Sequence, residues 1–371
     1  MVLTLPFMVA VQEISAHIGR VTGTGIIGTL RAHAPRPVVL GIVALLVVAN
    51  VVNLGADIGG MADVARFLAG GPAWLWAAGF ALFCAVTEVR VAYRRYVLFL
   101  KWLTLTLLAY VALLFVIRLP WATVLFAVLV PHVALTRAAL TMLVAVLGTT
   151  ISPYLFVWQA AEEIEDMQLS ADPRPLRARA DGAAEIARID ADTWAGMGYS
   201  NLVSLAIIIG TAATLHARGI TDIDTPAQAA QALAPIAGRF AAVIFALGVL
   251  GNGLLAVPVL AGSTAYALSE TMGWTEGLGR KAGDARAFYV TIALATLLGA
   301  GIVISPIDPM RALVWAAVIN GAVAGPVIVA MVILGSLRSV MGAYVLPAWL
   351  RLFGWGTAFL MGAATVGMLV L

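Results

Sequence analysis

Apolar residues in this chain come in long runs, separated by short segments that collect the Arg, Asp, Glu, Gly and Pro residues. Crossing about 30 Å of hydrocarbon takes roughly twenty consecutive, mainly apolar residues in a helix. On that measure the pattern predicts ten spans, at 2–18, 38–57, 73–91, 96–117, 140–161, 194–215, 240–261, 288–304, 312–335 and 350–370. A shorter apolar piece, 119–133, is expected to lie as an interfacial or loop helix.

The fifth run is not uniform. Gly148, Thr149, Thr150, Ser152 and Pro153 stand together in its middle, where a plain spanning helix carries Leu or Val. Proline lacks an N–H and its ring clashes with the preceding turn, so helical bonding is predicted to break between Gly148 and Pro153. Carbonyls freed at that depth cannot face lipid; they must line a polar cavity or be buried in protein. Broken helices that turn such oxygens inward are how secondary transporters build a cation site near the midplane.

Composition strengthens the membrane reading. The chain is 62% hydrophobic and 11% charged, against a charged share of about 25% in soluble domains, and its mean hydropathy is +1.00. A net charge of +3 spread over short loops gives no nucleic-acid surface. Cys84 is the one cysteine, so neither a disulfide framework nor a thiolate cluster is available. One set of alternate loops holds fifteen Lys and Arg residues and the other six, with Lys101 inside a span completing the 22. By the positive-inside tendency the first set is cytoplasmic and both chain ends lie outside. The connector 162–193 is expected to be a solvated, partly helical loop, with Glu162 and Glu163 at the cytoplasmic mouth of the fifth run. Glu13 and His17, four residues apart, read as a polar seam or as the cytoplasmic end of the first run, the second being preferred. The four His residues are scattered and no His-Glu-x-x-His or Gly-x-Ser-x-Gly occurs, which removes the motif basis for an intramembrane hydrolase. The chain is read as a non-enzyme.

Several segments, in order, resemble the natural resistance-associated macrophage protein (Nramp) family of metal-ion transporters. QEISAHIGRVTGTG resembles that family's second helix, NVVNLGADIGG its third, YRRYVLFLKWLTLTLLAYV its fifth, GTTISPYLFVWQAAEEIEDM its sixth, LLAVPVLAGSTAYALSE its eighth and IDPMRALVWAAVINGAVAGP its tenth. The resemblance implies an all-α polytopic protein with a LeuT-type inverted repeat, forming one transporter domain over 1–371. Residues 1–117 would be an incomplete first repeat, 140–335 the second, and 336–371 an extra C-terminal helix. The family's first helix, with its Asp-Pro-Gly-Asn or Asp-Pro-Ser-Gly metal motif, has no counterpart here, and Met1 is expected to be internal to a longer protein or to begin a truncated one.

In the sixth helix the family's Met-Pro-His becomes Ser152-Pro153-Tyr154, and Thr149 takes the position that offers a carbonyl. The resemblance therefore implies metal-site positions at Thr149, Ser152, Tyr154 and Asn320, and a proton or ion pathway through Asn53, Asp57 and Gln159. Exchanging a thioether for a hydroxyl shifts the expectation from softer transition metals toward Mg²⁺, Mn²⁺ or Ca²⁺. Asp57 is placed near the end of its span, where reaching for the interface is an equal reading. The function implied is secondary transport of divalent cations across the cytoplasmic membrane, with the cation as substrate and no cofactor. The partners expected are that cation and the bilayer, with no nucleic acid and no obligate protein. An amino-acid transporter of the same fold and a non-transporting remnant are the alternatives.

Overall fold

A computed structural model describes residues 1–90, 98, 102, 104–117, 119–130, 136–179, 181–220, 223, 225–230, 239–305 and 309–370. Its helices are α1 (Leu5–Thr22), α2 (Ile26–His33), α3 (Arg36–Ala69), α4 (Ala73–Arg90), α5 (Leu108–Val116), α6 (Trp121–Leu129), α7 (Arg137–Thr150), α8 (Pro153–Leu169), α9 (Ala183–Thr214), α10 (Arg239–Met272), α11 (Arg286–Ile304), α12 (Pro309–Ser336), α13 (Arg338–Met341) and α14 (Ala348–Val370). Among the described residues eight segments are helical, long and apolar enough to cross a membrane, α7 and α8 together making one of them. The 23 residues of α14 also reach across a bilayer core at 1.5 Å per residue. Of the predicted span 96–117, residues 98, 102 and 104–117 are described, with α5 at its end.

The packing explains which glycines matter. α3 runs against α10, α11 and α12, while α12 also packs on α7 and α14. A Cβ on Gly55 would crowd Ile302 and the Gly299 carbonyl, and one on Gly299 would crowd Leu54. These two glycines let the backbones of α3 and α11 approach closely. That contact also explains a misjudged boundary. The predicted span ends at 57, yet α3 continues to Ala69 through the glycine-rich GADIGGMAD. Small residues at a helix crossing look like a terminus when no partner helix is in view. Asp57 is thus interior to its helix, with twelve residues of α3 still to come.

The connector is likewise shorter than expected. α8 continues to Leu169 and α9 begins at Ala183, leaving 170–182 between them. Glu163 is 5% and Glu165 4% exposed, so these two carboxylates of α8 are packed rather than solvated, while Asp166 is exposed. The outer surface is apolar: Leu82, Phe115, Leu297 and Phe359 are all more than half exposed, the arrangement expected where lipid rather than water is the neighbour.

Candidate functional site

The break in the fifth predicted run is present. α7 starts with the Thr136 side chain accepting from the Ala139 N–H at 3.3 Å and ends at Thr150. Ile151 (φ −123°, ψ 66°) and Ser152 (φ −94°, ψ 137°) leave helical geometry. α8 then opens with Pro153 in its first position, where the missing N–H costs nothing. Helix persists through Thr149 and Thr150, whose hydroxyls donate back to Ala145 O at 2.8 Å and Val146 O at 3.0 Å. The interruption is thus confined to two residues. The Ser152 hydroxyl, fully buried, donates to Gly148 O and lies 3.2 Å from Thr149 O. A hydroxyl whose proton points at a carbonyl keeps its lone pairs for another electrophile.

Two neighbouring helices complete the surroundings. On one side α12 crosses α7 at glycine: a Cβ on Gly148 would overlap Ala317 O and Gly321, and one on Gly321 would crowd Val144. Asn320, 3% exposed, is thereby held at the crossing. On the other side α3 presents Asn50, Asn53 and Asp57, spaced to share one stripe of the helix. Asn50 is fully buried, and its Nδ2 donates to Ser263 Oγ at 3.1 Å and Thr264 Oγ1 at 3.0 Å. Asn53 is 7% exposed. Asp57 acts electrostatically on the Tyr154 hydroxyl, which in turn lies in hydrogen-bonding range of Ser152. Gln159 is half-buried on α8. Seven residues beyond Ser152, it stands roughly 10 Å along the axis, outside this cluster.

Among the described residues no group of three or more His, Cys, Asp or Glu side chains is placed to share a metal ion. An ion at the break would therefore meet mainly carbonyl and hydroxyl oxygens, with Asp57 as the nearby negative charge. The protein-family model described as Natural resistance-associated macrophage protein-like matches residues 1–371. The chain belongs to this family. Relatives include the divalent metal cation transporter MntH of Burkholderia ambifaria, 25% identical over 364 residues that cover 94% of this chain and 75% of that protein. MntH of Klebsiella pneumoniae strain 342 is 26% identical over 365 residues, covering 93% of this chain and 79% of its own length. In three dimensions the chain resembles the Eremococcus coleocola manganese transporter in complex with an aromatic bis-isothiourea substituted compound. The TM-score is 0.79 at 17% identity, covering 100% of this chain and 78% of that one. The fold is that of Nramp transporters, multi-pass and membrane-embedded.

The Nramp frame also holds a polar seam whose extent the sequence reading missed. Glu13 is completely buried with both carboxylate oxygens unpartnered, so it is no helix end at an aqueous surface. One turn on, His17 Nε2 lies 2.8 Å from Asp190 Oδ1 of α9. Arg20 Nη2 pairs with Glu185 at 2.9 Å and its Nη1 donates to Glu163 O at 3.3 Å. Arg188 pairs with Glu163 at 2.7 Å. The i, i+4 and i+7 spacing of Glu13, His17 and Arg20 was visible in the sequence; their partners on α8 and α9 were not. Beyond the seam, in the connector, hydrogen bonding from Arg174 holds the exposed Asp172 carboxyl down to about 2.

Proposed function

We propose that this protein moves divalent metal cations across the cytoplasmic membrane, holding the ion where α7 gives way to α8. The observation that carries this reading is the two-residue interruption at Ile151–Ser152, with the buried Ser152 hydroxyl, the neighbouring backbone oxygens and Asp57 near Tyr154. Neutral oxygens alone do not offset the cost of removing a doubly charged ion from water. Asp57 supplies the compensating charge, and Tyr154 links it to Ser152. Thr149 offers its carbonyl, Asn320 a side-chain amide at the helix crossing, and Asn53 and Gln159 extend the polar path on either side. The relatives, named as divalent metal cation transporters, point to the same class of cargo. The two halves of the domain, 1–117 and 140–335, would rock against each other around this point, with 336–371 as an addition.

Uptake of Mn²⁺ and Mg²⁺ into proteoliposomes tests the reading. Asp57→Asn should cut uptake of both ions at least tenfold, and Ser152→Ala should cut it several-fold, with the protein still folded by thermal unfolding. Full uptake by Asp57→Asn would place the ion elsewhere.

A further inference from the structure

A second polar feature lies at the far end of α10, away from the break. There α2, the end of α10 and the segment following it border an open pocket of about 410 Å³, lined by Thr24, Arg31, Ser269, Glu270, Trp274 and Glu276 among others. Three oxygens around it have no hydrogen-bond partner although they are buried: Ser269 Oγ, Glu270 Oε1 and Glu276 Oε2. Ser269 is fully buried and Glu270 7% exposed. Buried polar atoms are nearly always paired, so three orphans around one cavity call for a ligand.

Their placement is specific. Glu270 is anchored by its other oxygen, which accepts from the Gly28 N–H at 2.6 Å. Room for the carboxylate exists only because residue 25 is glycine, since a Cβ there would overlap it. Arg31 lines the same cavity, but its Nη1 donates to the main-chain oxygen of Glu270 at 3.0 Å and leaves Oε1 free. The nearby Glu165 is engaged, accepting from Tyr266 Oη and Leu278 N at 2.7 Å each and from Gly279 N at 3.1 Å. The open oxygens thus belong to two carboxylates and one hydroxyl.

We propose that this cavity is a hard divalent-cation site, distinct from the transmembrane break, in which a partly hydrated Mg²⁺-type ion is held by Glu270, Glu276 and Ser269. The donor set decides the ion class. Hard cations take oxygen ligands, and Mg²⁺ in particular keeps several waters while one or two carboxylates hold it. Six waters occupy roughly 180 Å³ at about 30 Å³ each, so a hydrated ion fits the cavity with space left. Among the described residues no third carboxylate, His or Cys joins them to share an ion, so a fully dehydrated or sulfur-seeking ion would be underligated. The basic residues Arg280, Lys281 and Arg286 that follow mark this end as the cytoplasmic one, so the site would sample the ions of the cell interior.

The test uses the whole purified chain and Mn²⁺ as the probe, with bound and free ion separated by electron paramagnetic resonance. Glu276→Gln and Glu270→Gln should each weaken one equivalent of Mn²⁺ at least tenfold, Ser269→Ala several-fold, and Mg²⁺ should compete for that equivalent. Asp57→Asn should leave it intact, so a failure of the transport reading is seen separately. Because Glu270 also anchors α2, Glu276→Gln, in the segment after α10, is the deciding variant. Unchanged Mn²⁺ binding in Glu276→Gln, or no binding in the parent protein, overturns the proposal.

Discussion

At the scale of residues, position 152 sets the character of the break. A serine whose proton is donated to Gly148 O presents oxygen lone pairs, which suit ions that bind oxygen and dehydrate reluctantly. Ser152→Met should therefore weaken Mg²⁺ and Ca²⁺ relative to Mn²⁺ and improve Cd²⁺. The shift is expected to be about 1–2 kcal/mol, or about tenfold in relative affinity, since one ligand of several changes. The buried site leaves little space for the larger side chain, and overpacking costs about 1–3 kcal/mol. For that reason the ratio of competing uptakes, not the absolute rate, is the measurement; an unchanged Mg²⁺/Cd²⁺ ratio would show that residue 152 is not a ligand. Glu13 poses a different question. Its unpartnered, fully buried carboxylate gives stability no benefit. Glu13→Gln should leave the unfolding temperature of the purified protein unchanged or raise it, and a drop of several degrees would reveal a partner.

At the scale of elements, the interruption was legible because glycine, serine and proline have local reasons to leave a helix that hold in any fold. Its exact place was not. Thr149 and Thr150 stay helical with their hydroxyls bonded back to the preceding turn, and the backbone leaves helical geometry only at Ile151 and Ser152. The crossing of α7 and α12 was not legible, since Gly148 read as part of the break. It is also the contact point with Gly321 and Ala317. Gly148→Val should force those helices apart at a cost of about 1–3 kcal/mol, measured as a lower midpoint in thermal unfolding. An unaltered midpoint would mean that the crossing is looser than the geometry indicates.

At the scale of the whole molecule, α1, α8 and α9 are tied at one end by charged groups. Arg20, 2% exposed, bonds both Glu185 and the Glu163 carbonyl, and Arg188 neutralises Glu163. Removing one partner of a buried pair strands the other, at about 3–5 kcal/mol when fully enclosed. Glu185 keeps 30% of its side-chain surface exposed and can regain water, so Arg20→Met should cost less, about 1–3 kcal/mol. Thermal unfolding across ionic strengths checks it: the wild-type pair should resist salt, because burial limits screening.

The sequence by itself determined that this is a helical membrane protein with one broken helix, and its ordered motifs carried the family. Apolar run length is dictated by bilayer thickness, and proline and glycine act on their own backbone, so neither needs a partner to be read. Only the tertiary structure decided that Asp57 is interior to α3, that Glu163 and Glu165 are packed rather than solvated, and that Ser269, Glu270 and Glu276 line one pocket. Each of those facts depends on which side chains from distant segments meet, and a carboxylate at a helix end is written the same way whether water, arginine or an open cavity stands beside it.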